Sequence, residues 1–255
     1  MSQASEKKGE QNGKQQHIRY DEIENHLIKQ LNSGDATLRN VSVLGLSAIF
    51  LWHRTDQIKH AVVDAASDSD SNVRSTAIRA LGIIGLVDSD IVLPPLVKAL
   101  ADNNDKVRQS ASDALVHIGE KAVGPLISAF GQDGVFDADG AGPEIAKVLG
   151  RFGAIAAAEL MLALSSDNVR LRAGAALSFM NFEKITEEMV VDRLIDALND
   201  DSGAVQVAAA FALGNSEDKG RPAIEPLLKA MDSDDEHLRV TATFALSSIL
   251  LKVHE

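Results

Sequence analysis

Apolar residues along this chain return at spacings of three and four, in blocks separated by short runs of Asp, Ser and Asn. Leu93, Leu96, Val97 and Leu100 keep that spacing, and beyond the polar run ADNND so do Val107, Ala111, Leu115 and Ile118. This places apolar side chains on one face of a helix, and the two-residue alternation of a half-buried strand is absent. Two such halves make a helical hairpin, and the hairpin recurs. Aligned on the last apolar residue of the first half, copies fall at Leu31, Ala66, Leu100, Phe130, Leu164, Leu198 and Met231. The second half aligns on Leu46, Leu81, Leu115, Leu149, Leu177, Leu213 and Leu246.

Local signals agree with this reading. Pro95, Pro125 and Pro226 each lie five residues before the aligned position, early in a first helix, where a missing N–H costs little. The turns SDSDSN, ADNND, SSDN, NDDSG and DSDDE offer side-chain oxygens to cap the second helix and suit its positive N-terminal dipole. Gly82, Gly85, Gly119, Gly153 and Gly214, near the ends of second helices, permit tight exits or close packing. The expected fold is all-α, a right-handed α-solenoid of about seven hairpins over residues 18–255. Residues 1–17, polar and without an apolar run, read as a disordered N-terminal segment.

Two copies break the spacing. Copy four runs nineteen steps from Phe130 to Leu149 where its neighbours run fifteen, because GQDGVFDADGAGP enlarges the turn. Copy five runs thirteen steps from Leu164 to Leu177, which reads as a two-residue deletion. Such an enlarged turn is either drift in a tolerant loop or a partner-binding loop using Phe136, Asp137 and Asp139.

The repeat resembles the HEAT repeat, in the short form named after phycobilisome bilin lyases. An Arg follows the first apolar residue of the second helix at Arg39, Arg74, Arg108, Arg170 and Arg239, and copy six has Gln206 instead. The resemblance implies that these Arg pair with turn aspartates in a structural ladder, with Asp35, Asp68, Asp70, Asp102 and Asp235 as candidate partners. It also implies that the second helices line the concave face.

On that face the sequence suggests a gradient. One residue after the Arg column and two before the Leu column, copies two and three carry Ser75, Arg79, Gln109 and Asp113. Copies five to seven carry Leu171, Ala175, Val207, Phe211, Val240 and Phe244, and six of the eight Phe lie beyond Phe130. Leu171, Val207, Phe211, Val240 and Phe244 are therefore the candidate partner-binding wall, with burial in the core as the alternative.

Composition narrows the function. Lys+Arg 25 against Asp+Glu 37 gives a net charge of −12, which opposes binding to nucleic acid or anionic membranes. One Trp and one Tyr argue against a glycosylase-like HEAT enzyme with aromatic base clamps. With no Cys, disulfides, thiolate metal sites and thiol nucleophiles are excluded, which suits a reducing, cytoplasmic setting. No two of the seven His stand four apart, and the only His-Glu dipeptide, His254–Glu255, is not the repeated pair of the HEAT-like hydroxylases that hold iron. DSDSN (68–72) lacks the Gly and Glu of a calcium loop, and Asp133, Asp137 and Asp139 match none. No catalytic, cofactor or metal residues are assigned. The expected function is a non-catalytic adaptor or scaffold that holds a protein partner, favoured if basic, in the concave groove. The alternative, implied by the resemblance, is a bilin lyase subunit or related phycobilisome assembly or degradation factor. In that case Arg79, Arg172 and Arg193 would pair with tetrapyrrole propionates, and any bilin would be attached to a Cys of the client.

Overall fold

A computed structural model describes residues 19–253. The segment 1–17 read as disordered lies outside the described residues, as do His17, His254 and Glu255.

Among the described residues fourteen α-helices form seven consecutive hairpins: α1 (Tyr20–Gln30) with α2 (Ala36–Phe50), α3 (Asp56–Ala65) with α4 (Ser71–Gly85), and α5 (Leu93–Ala99) with α6 (Asp105–Ile118). Then follow α7 (Val123–Ala129) with α8 (Gly142–Phe152), α9 (Ala154–Leu164) with α10 (Val169–Met180), α11 (Glu188–Ala197) with α12 (Gly203–Leu213), and α13 (Ile224–Ala230) with α14 (Glu236–Val253). Among the described residues there is no strand, and no helix is long and apolar enough to cross a membrane.

The second helices start where polar turns supply an acceptor. Asp35, Asp70, Asn104, Asn168 and Asp235 each accept a hydrogen bond from the backbone N–H two residues on, at 2.8–3.0 Å. At the other end of α6 and α8 the chain leaves through Gly119 and Gly153 at φ 82° and 53°, a left-handed conformation that glycine adopts without cost.

Consecutive second helices, α2 through α14, pack against one another more extensively than the first helices do. In a curved double layer the closer-packed elements lie on the inside of the bend, so the second helices form the concave layer. The core runs between the layers. Val73, Val107, Val205 and Leu238, just before the Arg column, are buried, as are Leu46, Leu81, Leu115, Leu149, Leu213 and Leu246.

Copy five corrects the sequence alignment. Its core residue at the Leu column is Phe179, fully buried, and Leu177 is only half-buried. Counting from Leu164 to Phe179 restores the usual fifteen steps, so there is no deletion. Leu177, two residues before Phe179, stands about half a turn away from the core column and imitates it in sequence.

Candidate functional site

The corrected register changes which residue serves the ladder. Arg39 donates to both carboxylate oxygens of Asp68 at 2.7 Å, and Arg74 to those of Asp102 at 2.7 and 2.8 Å. In copy five Arg172, not Arg170, takes this place, donating to Asp200 at 2.7 and 3.2 Å. Arg170 instead reaches out to Asp133 at 2.6 Å on the surface. Each rung aspartate also accepts the backbone N–H two residues on, from Asp70, Asn104 and Ser202 respectively. One carboxylate thus fixes its own turn and grips the preceding repeat.

Hydrogen bonds from Arg39 hold the Asp68 carboxyl below the usual carboxylate range despite its burial. Burial pushes the carboxyls of Asp102 and Asp200 up, but the bonds from Arg74 and Arg172, with those from the backbone, bring both below that range.

Three joints lack a rung. Arg108 turns back to Asp105 and to the Asp102 carbonyl, because the enlarged turn of copy four puts no aspartate in reach. Copy four has Gly142 in the Arg column, and copy six has Gln206, which keeps only the bond within its own turn, to the Asp200 carbonyl at 2.6 Å. Arg239 likewise bonds the Ser233 and Asp234 carbonyls of its own turn. Asp35, Asp70 and Asp235, expected as ladder partners, are helix caps instead.

The outward row of the concave layer is the column five residues after the Arg column. It reads Leu44, Arg79, Asp113, Lys147, Leu177, Phe211 and Phe244, so a charged centre separates two apolar ends. At the centre Arg151 bridges to Asp113 at 3.0 Å and to the Ser112 hydroxyl at 2.7 Å. At the C-terminal end Phe211 and Phe244, 36% and 57% exposed, stack across α12 and α14 with ring centroids 5.8 Å apart. Val240, 63% exposed, precedes Phe244 by one helical turn, and Leu251 continues the same face of α14.

The other expected wall residues differ. Leu171 is the residue before the Arg column in the corrected register and packs against the core, and Ala175 is buried. Val207 is half-buried against the core, because its column points toward the next repeat. Ser75, in that column, is fully buried and hydrogen-bonded to Ser110 of α6 at 2.9 Å. Phe152, Phe179 and Phe182 are also core, so half of the C-terminal Phe serve packing. The gradient expected from the sequence is incomplete too, since Val41 and Leu44 in copy one are about half exposed.

The loop 131–141 is closed upon itself. The Gly142 N–H donates to the Val135 carbonyl at 2.7 Å and the Gly140 N–H to the Asp137 carbonyl at 2.9 Å. A Cβ on Gly140 would lie 2.2 Å from the Val135 carbonyl oxygen, and one on Gly142 would lie 2.6 Å from the Phe136 ring, so both must be glycine. Val135 is buried, while Phe136 stacks on the buried Phe130 with centroids 5.7 Å apart. Asp137 and Asp139 face solvent. Between this loop, α5 and α7 lies a groove of about 760 Å³ with Leu93, Pro94, Val97, Pro125 and Ile145 among its walls.

The sequence profile of the family described as HEAT repeats matches residues 24–116 and 191–252. The chain belongs to the HEAT-repeat family. The unmatched stretch between those segments contains the enlarged turn and copy five, where the repeat spacing is disturbed. No curated protein matches the sequence. Among solved structures, the HEAT-repeat chain is similar to one in a structure of Kap95p binding to RanGDP, at 13% identity over 92% of this chain and 36% of that one, with a TM-score of 0.55. It is also similar to importin beta, at 12% identity over 91% and 37% of the two chains, TM-score 0.53. An archaeal HEAT-like repeats protein from Thermococcus onnurineus NA1 aligns at 16% identity over 92% and 98%, TM-score 0.42. The chain spans about a third of the length of Kap95p and importin beta, and these likenesses establish the α-solenoid fold.

Within this HEAT solenoid the residues considered for a tetrapyrrole do not gather. Arg172 is committed to Asp200 and Asp201, Arg193 lies 4.0 Å from Asp196, and Arg79 sits on α4, with α6, α8 and α10 between it and the stacked Phe pair.

Proposed function

We propose that this chain is a non-catalytic adaptor that holds a protein partner on its concave layer, with Phe211, Val240 and Phe244 as the anchor. The observation that carries this reading is the stacked, solvent-facing Phe211–Phe244 pair spanning two repeats and continued by Val240. Rigid aromatic surface is what anchors at interfaces are made of, and a contiguous exposed apolar patch is uncommon without an occupant. The aspartate-rich turns along the edge favour a partner with basic residues and would speed its approach more than tighten its hold. The solenoid class supports the same reading, since Kap95p binds RanGDP through a chain of this fold. The loop carrying Phe136, Asp137 and Asp139 is a second contact on the outer side.

Affinity capture from the source cell with the wild type and with the double variant Phe211→Asp/Phe244→Asp tests the proposal. A protein retained by the wild type and lost from the variant, with helical content unchanged by circular dichroism, is expected. Equal recovery on both removes the anchor, and recovery insensitive to salt removes the acidic rim.

A further inference from the structure

The first hairpin brings together three groups that the repeat does not require. Asp21 and Glu24 stand three apart on α1, hence on one face, and His53 lies in the turn between α2 and α3. The Nε2 atom of His53 is 3.0 Å from Asp21 Oδ1 and 3.0 Å from Glu24 Oε2. Nε2 is buried, yet neither oxygen is placed to accept a hydrogen bond from it. An oxygen beside the N–H axis is a poor acceptor, but that is where the neighbouring ligands of an ion on the axis would stand. Ligands at about 2.1 Å from a tetrahedral zinc ion are separated by about 3.4 Å, so the two carboxylate oxygens need withdraw from Nε2 by only a few tenths of an ångström to admit the ion.

The surroundings hold these groups in place. Glu24 is buried, and its second oxygen accepts the Thr55 hydroxyl at 2.8 Å. The Thr55 oxygen accepts in turn from the Ile58 N–H at the start of α3, so the carboxylate is tied to the backbone. Tyr20 stacks on the imidazole with centroids 5.7 Å apart and planes inclined by 15°, which fixes the ring. Asp21 is exposed, leaving a side open to water ligands. Two carboxylates meet one imidazole at a partly buried position, and a divalent cation would balance their charge. Among the described residues this is the cluster in which three ligand-bearing side chains converge, with donor atoms within 4.8 Å of one another.

We propose that Asp21, Glu24 and His53 bind a divalent transition-metal ion, represented by zinc, which fastens α1 to the α2–α3 turn. An imidazole with two carboxylates suits zinc or a similar ion better than calcium or magnesium, which prefer oxygen alone. The ion would clasp the first hairpin, where the stack has no preceding repeat among the described residues to hold it.

The test uses the full chain stripped with EDTA and titrated with zinc chloride, followed by calorimetry and thermal melting. One zinc per chain is expected, with a higher melting temperature and slower amide exchange in α1. Asp21→Asn and His53→Gln should each weaken that site by more than about tenfold. Asp21 is exposed, so its variant should melt like the metal-free wild type. Excess magnesium should not displace the zinc. No saturable uptake, or uptake unchanged in both variants because zinc sits on exposed His60 or His237, overturns the proposal. So does a metal-free protein that gains the same stability merely by acidification, which would make a protonated His53 the occupant.

Discussion

Copies two and three meet along one kind of joint, and copies three and four along another. At the first, Gly82 of α4 faces Ala114 of α6 so closely that a Cβ would lie 2.9 Å from the alanine Cβ. Ser75 and Ser110 share a buried hydrogen bond there, and Arg74 grips Asp102 from above. At the second, α6 presents Val116 where α4 presents Gly82, Arg108 folds back on its own helix, and α6 touches α8 least of any consecutive pair in the inner layer. Its link across the concave surface is the exposed Arg151–Asp113 pair. The comparison shows that tightness in this stack comes from residues outside the apolar pattern, since the Leu column is equally buried on both sides.

The largest expected effect comes from filling the tight joint. Gly82→Val must push α4 away from α6 and should destabilise by about 1–3 kcal/mol even after the gain of replacing a helical glycine. Val116→Gly at the looser joint should cost about 1 kcal/mol or less beyond the trimmed side chain's own burial. Urea melts followed by circular dichroism would compare them, and equal shifts would dissolve the distinction between the two joints.

Removing a rung comes next. Asp102→Ala leaves Arg74 without its carboxylate and the α6 turn without its acceptor, for a loss of about 1–3 kcal/mol. Asp105→Ala, which removes the exposed partner of Arg108, should stay within about 0.5–1 kcal/mol. A comparable loss in Asp105→Ala would show that Arg108 holds the joint after all.

The smallest effect is read in pH. Asp68, Asp102 and Asp200 have carboxyls held below their ordinary range, so their contribution to stability is complete above the unfolded value of about 3.9. It is lost as pH falls through the lower folded values. Acid unfolding should steepen below about pH 4 and be flatter in Asp102→Asn. An unchanged curve in Asp102→Asn would mean that the rung does not persist in solution.

The hairpins, their number and the caps were legible because each is set by residues within a few positions of one another. The rungs at Arg39 and Arg74 were legible as a column, but Arg172 was not, because Val169–Arg170 imitates the pattern one half-turn early and only burial of Phe179 distinguishes the registers. The exposed Phe211 and Phe244 could be placed on a helix face from their spacing, whereas Leu171 and Val207 share that periodicity and differ only in what the neighbouring repeat puts over them. The convergence of Asp21, Glu24 and His53 had no local signal at all. Two of its residues share one helix and the third lies past the end of α2, at a place no motif marks.

A row of stiff blocks with one thin joint bends at that joint. If a partner requires a flatter or tighter curve than the free protein has, copies one to three and copies four to seven would swing as two arms about the region of Arg108 and the closed loop. The displacement would grow with distance from that pivot and be greatest at Phe244. The anchor would then sit at the end of the longer lever, where a small rotation of the joint moves it furthest.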